Sequence, residues 1–291
     1  MITAVWVSLV ILGVWFLVLL VRDVLSHKAV LEKVSIWKTA LIGFVVNFFD
    51  VLGIGAFAPQ TALLKFTKQT DDHQMPGTLN VTNTIPVLIQ AIIFIQIIEV
   101  EVLTLVLMLA SATIGAVIGA SFIATLSVKS IRLIMGFALL ITAFFMFARQ
   151  MDWIKGGGEA IGLSGYKLII AVAVNFMLGA LMTAGIGLYA PCMALVFALG
   201  MSPKVAFPIM MGSCAFLMPF ASAKFIQKGA YNRKATIAMA IPGAVAVLFA
   251  VYFVKSLPLD QLKTIVLLVI LYTSAMMFKD AFQKTSKNES P

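Results

Sequence analysis

The sequence predicts an all-α polytopic membrane protein, and three observations carry that expectation. Of 291 residues, 62% are hydrophobic and only 11% are charged, with a mean hydropathy of +1.06. A soluble domain carries about 25% charged residues, so this chain cannot cover a water-facing surface unless lipid replaces much of the water. The apolar residues also gather into runs of about 20 or more, the length at which a helix crosses about 30 Å of hydrocarbon. Finally, two of the runs share one interruption, a Gly-x-Gly element followed by proline.

Nine apolar runs are read along the chain, at about 4–21, 38–65, 77–98, 101–125, 130–149, 167–199, 204–227, 234–254 and 260–279. They are expected to be helices, because a lone strand cannot satisfy its backbone in lipid. The first run lacks a basic leader and a small-residue cleavage site, and Arg22 and Asp23 follow it. It therefore reads as an uncleaved anchor. The second and sixth runs are too long for one crossing and are interrupted. Gly53, Gly55 and Pro59 break the second; Gly185, Gly187 and Pro191 break the sixth. Glycine pairs followed by proline mark broken helices.

The two breaks belong to a longer internal match. At a spacing of 132 residues, Gly53, Gly55, Ala58, Pro59, Ala62 and Leu63 meet Gly185, Gly187, Ala190, Pro191, Ala194 and Leu195. Pro76 meets Pro208 at the same spacing, and at 131 the segment Phe94, Ile95, Gln96 meets Phe225, Ile226, Gln227. The organisation read from this is an N-terminal helix and cytoplasmic loop (1–37), repeat 1 (38–149), a connecting loop (150–166), repeat 2 (167–279) and a cytoplasmic tail (280–291).

Lys and Arg totals on the two sides do not decide the relative orientation of the repeats. Equivalent loops do differ. The loop at Glu99 and Glu101 has no Lys or Arg, whereas its mate carries Lys228, Arg233 and Lys234. That contrast favours inverted repeats with re-entrant broken helices, with parallel repeats as the alternative. The N-terminus is expected in the periplasm and the C-terminus, with Lys279, Lys284 and Lys287, in the cytoplasm.

The breaks are the leading site candidates. A helix that restarts inside the bilayer begins with N–H groups that lack intrahelical partners and carry the positive end of the helix dipole. Glycine lets an anion approach them closely. Gly53, Gly55, Pro59, Gly185, Gly187 and Pro191 are therefore expected to frame one anion site near the midplane. The helices that follow add Asn80 and Asn83 in the first repeat, and Gly212 and Ser213 in the second, as neutral groups that could meet an oxyanion. For these the alternative is interhelical hydrogen bonding. Asp50, three residues before Gly53, is an acid inside an apolar run and a candidate proton-coupling group. Capping of the restarted helix is its blander role.

These residues resemble the TauE/SafE family of sulfite and sulfonate exporters. The resemblance rests on the Gly-Ile-Gly…Pro breaks at 53–59 and 185–191, the polar helices after them and the Phe-Ile-Gln segments. Typical family breaks are richer in glycine, whereas here Ala56 and Leu188 follow the second glycine. The resemblance implies a carrier of the bacterial inner membrane for small sulfur-containing anions, working as a secondary transporter by alternating access.

Other classes find less support. The net charge of +9 is spread in short clusters between apolar runs, a membrane-loop pattern that argues against a nucleic-acid partner. Cys192 and Cys214 lie in apolar segments without basic neighbours to activate a thiol, which leaves an intramembrane thiol redox enzyme as an alternative only. Two His without ligand spacing suggest no metal and no cofactor, and no catalytic residue is assigned. No nucleotide-binding loop occurs, which argues against an ATP-driven pump in this chain. A channel or assembly subunit stays as a further alternative. The expected partners are a small anionic substrate and the lipid bilayer, with homo-oligomerisation left open.

Overall fold

A computed structural model describes residues 2–71, 74–118, 151, 153, 158–183, 187–255 and 259–282, and single positions between 129 and 150. The described elements are α1 (Ile2–Ser26), a short 3-10 turn (Lys28–Val30), α2 (Ile36–Asp50), α3 (Phe57–Phe66), α4 (Met75–Ile97) and α5 (Val102–Ile118). They continue with α6 (Gly165–Thr183), α7 (Tyr189–Ala198), α8 (Pro203–Gln227), α9 (Arg233–Lys255) and α10 (Leu259–Phe282). Every named element is helical, as run length requires in a medium that offers the backbone no partner.

Among the described residues, five helices are long and apolar enough to cross a membrane: α1, α4, α6, α8 and residues 233–253 of α9. The second and sixth runs are each divided. α2 stops at Asp50 and α3 starts at Phe57; α6 stops at Thr183 and α7 starts at Tyr189. Part of the fourth run and most of the fifth lie outside the described residues.

Burial sorts the helices. In the most apolar stretches of α4 and α8, 78% and 89% of the residues are buried, against 22% in α1. The first two form the centre, where Phe94 and Phe207 stack with ring centroids 5.5 Å apart. α1 buries only Val5, Leu9, Phe16 and Leu20, one stripe of a helix otherwise exposed, as suits a lipid-facing position. Small residues set the closest approaches. Gly43 of α2 lies against the Met239 backbone of α9, and Gly115 and Gly179 bring α5 and α6 together at the carbonyls of Phe176 and Ala112. With no hydrophobic drive between helices in lipid, such close backbone packing is a main source of association.

Polar contacts tie the helix ends into two knots. At one end, the Ser35 N–H donates to Gln69 Oε1 (2.7 Å) and Asn232 Nδ2 donates to the Gln69 carbonyl (3.2 Å). The Asn232 N–H donates to Thr78 Oγ1 (2.9 Å). Arg233 grips Asp23 through Nε (2.7 Å) and Nη2 (3.3 Å), and Glu32 accepts from the N–H groups of Arg233 and Lys234. Tyr231 donates to the same Asp23 carboxylate (2.6 Å). Burial first, then Asp23, pushes the ionisation of the Tyr231 phenol upward, so it stays a donor. At the other end, the Glu101 N–H donates to the Ile161 carbonyl (2.8 Å), the Leu163 N–H to Thr104 Oγ1 (2.9 Å) and the Ser202 N–H to the Ala160 carbonyl (3.0 Å). Lys167 Nζ reaches the Leu199 carbonyl (3.0 Å).

These contacts define the path of the chain. The start of α2 and the end of α3 share the first knot, while the start of α6 and the end of α7 share the second. α4 runs from the first to the second and α8 returns. The α2–α3 and α6–α7 segments therefore enter and leave by their own ends.

Candidate functional site

The first break is built from three backbone events. The Gly53 N–H closes a turn on the Asp50 carbonyl (2.8 Å), and Gly53 and Gly55 then adopt φ of +91° and +83°. Only glycine enters that region without steric cost. α3 then begins at Phe57, with Pro59 as its third residue, where the missing N–H would have had no intrahelical partner anyway. Pro191 holds the same third place in α7. Gly185 lies outside the described residues, whereas Gly187 is described immediately before α7.

The breaks meet. A side chain on Gly53 would strike Met193 of α7, since an added Cβ would lie 2.7 Å from its methyl carbon. At Gly55 an added Cβ would stand 3.8 Å from Tyr189 Cβ. Gly55, Gly187, Tyr189 and Ala190 line one small cleft of about 40 Å³, together with Tyr272 and Asp280 of α10. The cap residues of α3 and α7, Ala56 and Leu188, have no capping side chain of their own, and at α3 the Ala56 N–H is taken by the Asp50 carboxylate.

Asp50 is fully buried beside this cleft. Gln90 Nε2 of α4 donates to its Oδ2 (2.8 Å), and the Ala56 N–H also serves the carboxylate. The other end of the same amide, Gln90 Oε1, accepts from the Tyr189 hydroxyl (3.1 Å). One chain of hydrogen bonds thus joins α2, α4 and α7. Sequence reading did not single out Gln90 or Tyr189. An uncharged amide deep in an apolar run was the available signal for Gln90, and Tyr189 follows the second break directly.

The polar helix α4 is turned towards its neighbours. Thr84 and Ser222 share a hydrogen bond across to α8 (2.9 Å), and Thr82 reaches Thr236 of α9 (3.3 Å). Asn83 Nδ2 bonds to the Leu79 carbonyl and to Gln60 Oε1 of α3, while Asn80 Nδ2 bonds to the Pro76 carbonyl. The amide oxygens of Asn80 and Asn83 are buried without a partner. Placed this way, both amides spend their N–H groups inside the protein. On α8, Gly212 packs on Leu109 and Ser213 accepts from Asn175 (3.0 Å), so both face α5 and α6. Cys192 and Cys214 are free and buried, and the Cys214 thiol meets Met182 Sδ at 3.4 Å.

Long apolar helices around buried polar breaks define a multi-pass α-helical membrane protein. Residues 167–291 match the family model described as Sulfite exporter TauE/SafE, a stretch that contains the second break and the helices α6 to α10. The family resemblance read from the glycine and proline pattern is thus shown over those residues. No curated protein and no solved structure matches the chain.

Proposed function

We propose that this chain is a secondary transporter for small sulfur-containing anions, sulfite and organosulfonates, in the bacterial inner membrane. The observation that carries the reading is the meeting of two half-helix N-termini, those of α3 and α7, at one cleft lined by Gly55 and Gly187, with Asp50 on the Ala56 N–H of α3 and no side chain capping α7. Such an end stabilises a negative charge by about 0.3–1 kcal/mol when exposed and up to about 2 kcal/mol when partly buried. Two of them, with glycines that leave the backbone open, suit a small oxyanion. The family match supplies the sulfur chemistry of the cargo.

The repeats are read as inverted. In support, α2–α3 opens from the first knot and α6–α7 from the second, so equivalent segments start at opposite ends. Helix pairing has the same exchange symmetry: α2 packs on α9 as α6 packs on α5, with α4 against α8 between them. The first knot carries Lys28, Lys33, Lys68, Lys228 and Lys234 around it, and the positive-inside bias supports reading it as the cytoplasmic end. Trp6 near the start of α1 bonds to the Ile92 carbonyl at the far end of α4, which supports a periplasmic N-terminus on that reading.

In this mechanism the anion binds between the halves, the halves rock about it, and Asp50 takes up or releases the coupled proton. Sulfite and isethionate flux into proteoliposomes, with and without a pH gradient, tests the reading. Gradient-driven uptake is expected; gradient-insensitive flow at channel rates, or no flux, overturns it.

A further inference from the structure

The geometry points to a hydrogen-bond polarity switch, Asp50–Gln90–Tyr189, in which protonation of Asp50 turns the Tyr189 hydroxyl into a donor for the anion. The inference rests on the transporter reading and adds two residues, Gln90 and Tyr189, to its binding machinery.

An ionised carboxylate only accepts hydrogen bonds. Asp50 accepts from Gln90 Nε2 (2.8 Å) and from the Ala56 N–H, so both contacts are donors. With its N–H end committed to Asp50, Gln90 presents its oxygen to Tyr189, whose only proton is drawn into the chain (3.1 Å). Tyr189 is the first residue of α7 and lines the cleft with Gly55 and Gly187. In this arrangement its hydroxyl proton is committed to Gln90 and none is left to donate to an anion.

Adding a proton to Asp50 turns one of its oxygens into a donor and leaves the other able to accept, so only one of the two N–H contacts can be kept as it is. The Ala56 N–H is fixed in the backbone at the start of α3 and cannot turn, whereas a glutamine amide can rotate about its last torsion. Once turned, Gln90 accepts from Asp50 through Oε1 and donates to Tyr189 through Nε2. The Tyr189 oxygen is then an acceptor within the chain, and its O–H is free to point into the cleft. The proton stays on Asp50 and no covalent bond other than that O–H is made.

The titratable groups that face this chain are few. Cys214 of α8 lies near Asp50, Cys192 of α7 near Cys214, and Asp280 of α10 across the cleft from Tyr189. α9 meets α2 through Met239, and Asn47 beside Gly243, contacts that bring no charge. The consequence is positive linkage, in which proton and anion each favour the other's binding by the same factor.

The test uses purified full-length protein in lipid nanodiscs, with isethionate as a probe whose charge is independent of pH and sulfite as a second probe. Native protein should bind isethionate about tenfold more tightly for each unit fall in pH across the Asp50 titration, taking up close to one proton per anion. Asp50→Asn should bind with no pH dependence. Tyr189→Phe should bind weakly at every pH and take up no proton, and Gln90→Leu should behave alike; the second variant answers the question should the first fail to fold. If Asp50→Asn abolishes the pH slope while Tyr189→Phe or Gln90→Leu keeps it, the switch is overturned and the transporter reading stands. If native protein binds neither probe, both fall.

Discussion

At Gly53 two constraints coincide, a left-handed backbone and a crowded neighbour. Its φ is +91°, and an added Cβ would overlap the Met193 methyl. Gly55 shares the backbone constraint at +83° but has ordinary space around it. Gly55→Ala should therefore cost about 1–2 kcal/mol from the backbone alone. Gly53→Ala should cost more, because Met193 must also move. Denaturation of the two variants in detergent checks the order, and equal losses would mean that the close approach has no weight. The two thiols lead to a different expectation. Cys192 and Cys214 are buried and pack as small apolar groups. Replacing both with alanine should leave sulfite flux within about threefold of native, since buried-volume loss of this size affects stability more than chemistry. Complete loss of flux would restore the thiol redox alternative.

Among the elements, α1 stands outside the paired helices yet is tied to the α8–α9 corner by one of the few charged clusters in the described structure. The Asp23 and Arg233 side chains are 12% and 13% exposed and bond through two nitrogens. Charge-assisted bonds of this kind contribute about 1.5–3 kcal/mol, and a partner left behind without its mate costs stability. Arg233→Gln should thus lower the unfolding midpoint more in the native background than in the Asp23→Asn background, measured as a double-mutant cycle. An additive cycle would mean that the pair makes no net contribution. At the α5–α6 contact, Gly179→Val should prevent normal assembly, because the new side chain would meet the Ala112 carbonyl. Size-exclusion profiles of the purified variant would show this as aggregation, and a native profile would refute it.

For the whole molecule, the exchange of helix partners between the halves has a topological consequence. Reporter tags placed beside Glu99 and beside Arg233 should report opposite sides of the membrane. Placement on one side would replace the inverted arrangement with a parallel one. The sequence already suggested the contrast, because one loop lacks basic residues and its mate carries three. It could not decide whether α2–α3 and α6–α7 cross or return, since a broken helix that crosses and one that returns have the same apolar length. Ser35 bonded to Gln69, and Lys167 bonded to the Leu199 carbonyl, bring the two ends of each segment together in space.

Composition and run length by themselves determined a helical membrane protein, because hydrocarbon leaves the backbone no other means of satisfying its polar groups. The glycine and proline spacing also located the breaks, since a missing N–H at both, and a positive φ at Gly53 and Gly55 in the first, are local demands legible in local sequence. The assignment of polar partners belonged to the tertiary structure. Gln90 is 40 residues from Asp50 and 99 from Tyr189, and no periodicity links them. Asn80, Asn83, Gly212 and Ser213 show the same limit. Their residue types suit either an anion or a neighbouring helix, and only packing decides which way each faces, because a buried polar group bonds to whatever the fold brings within about 3 Å.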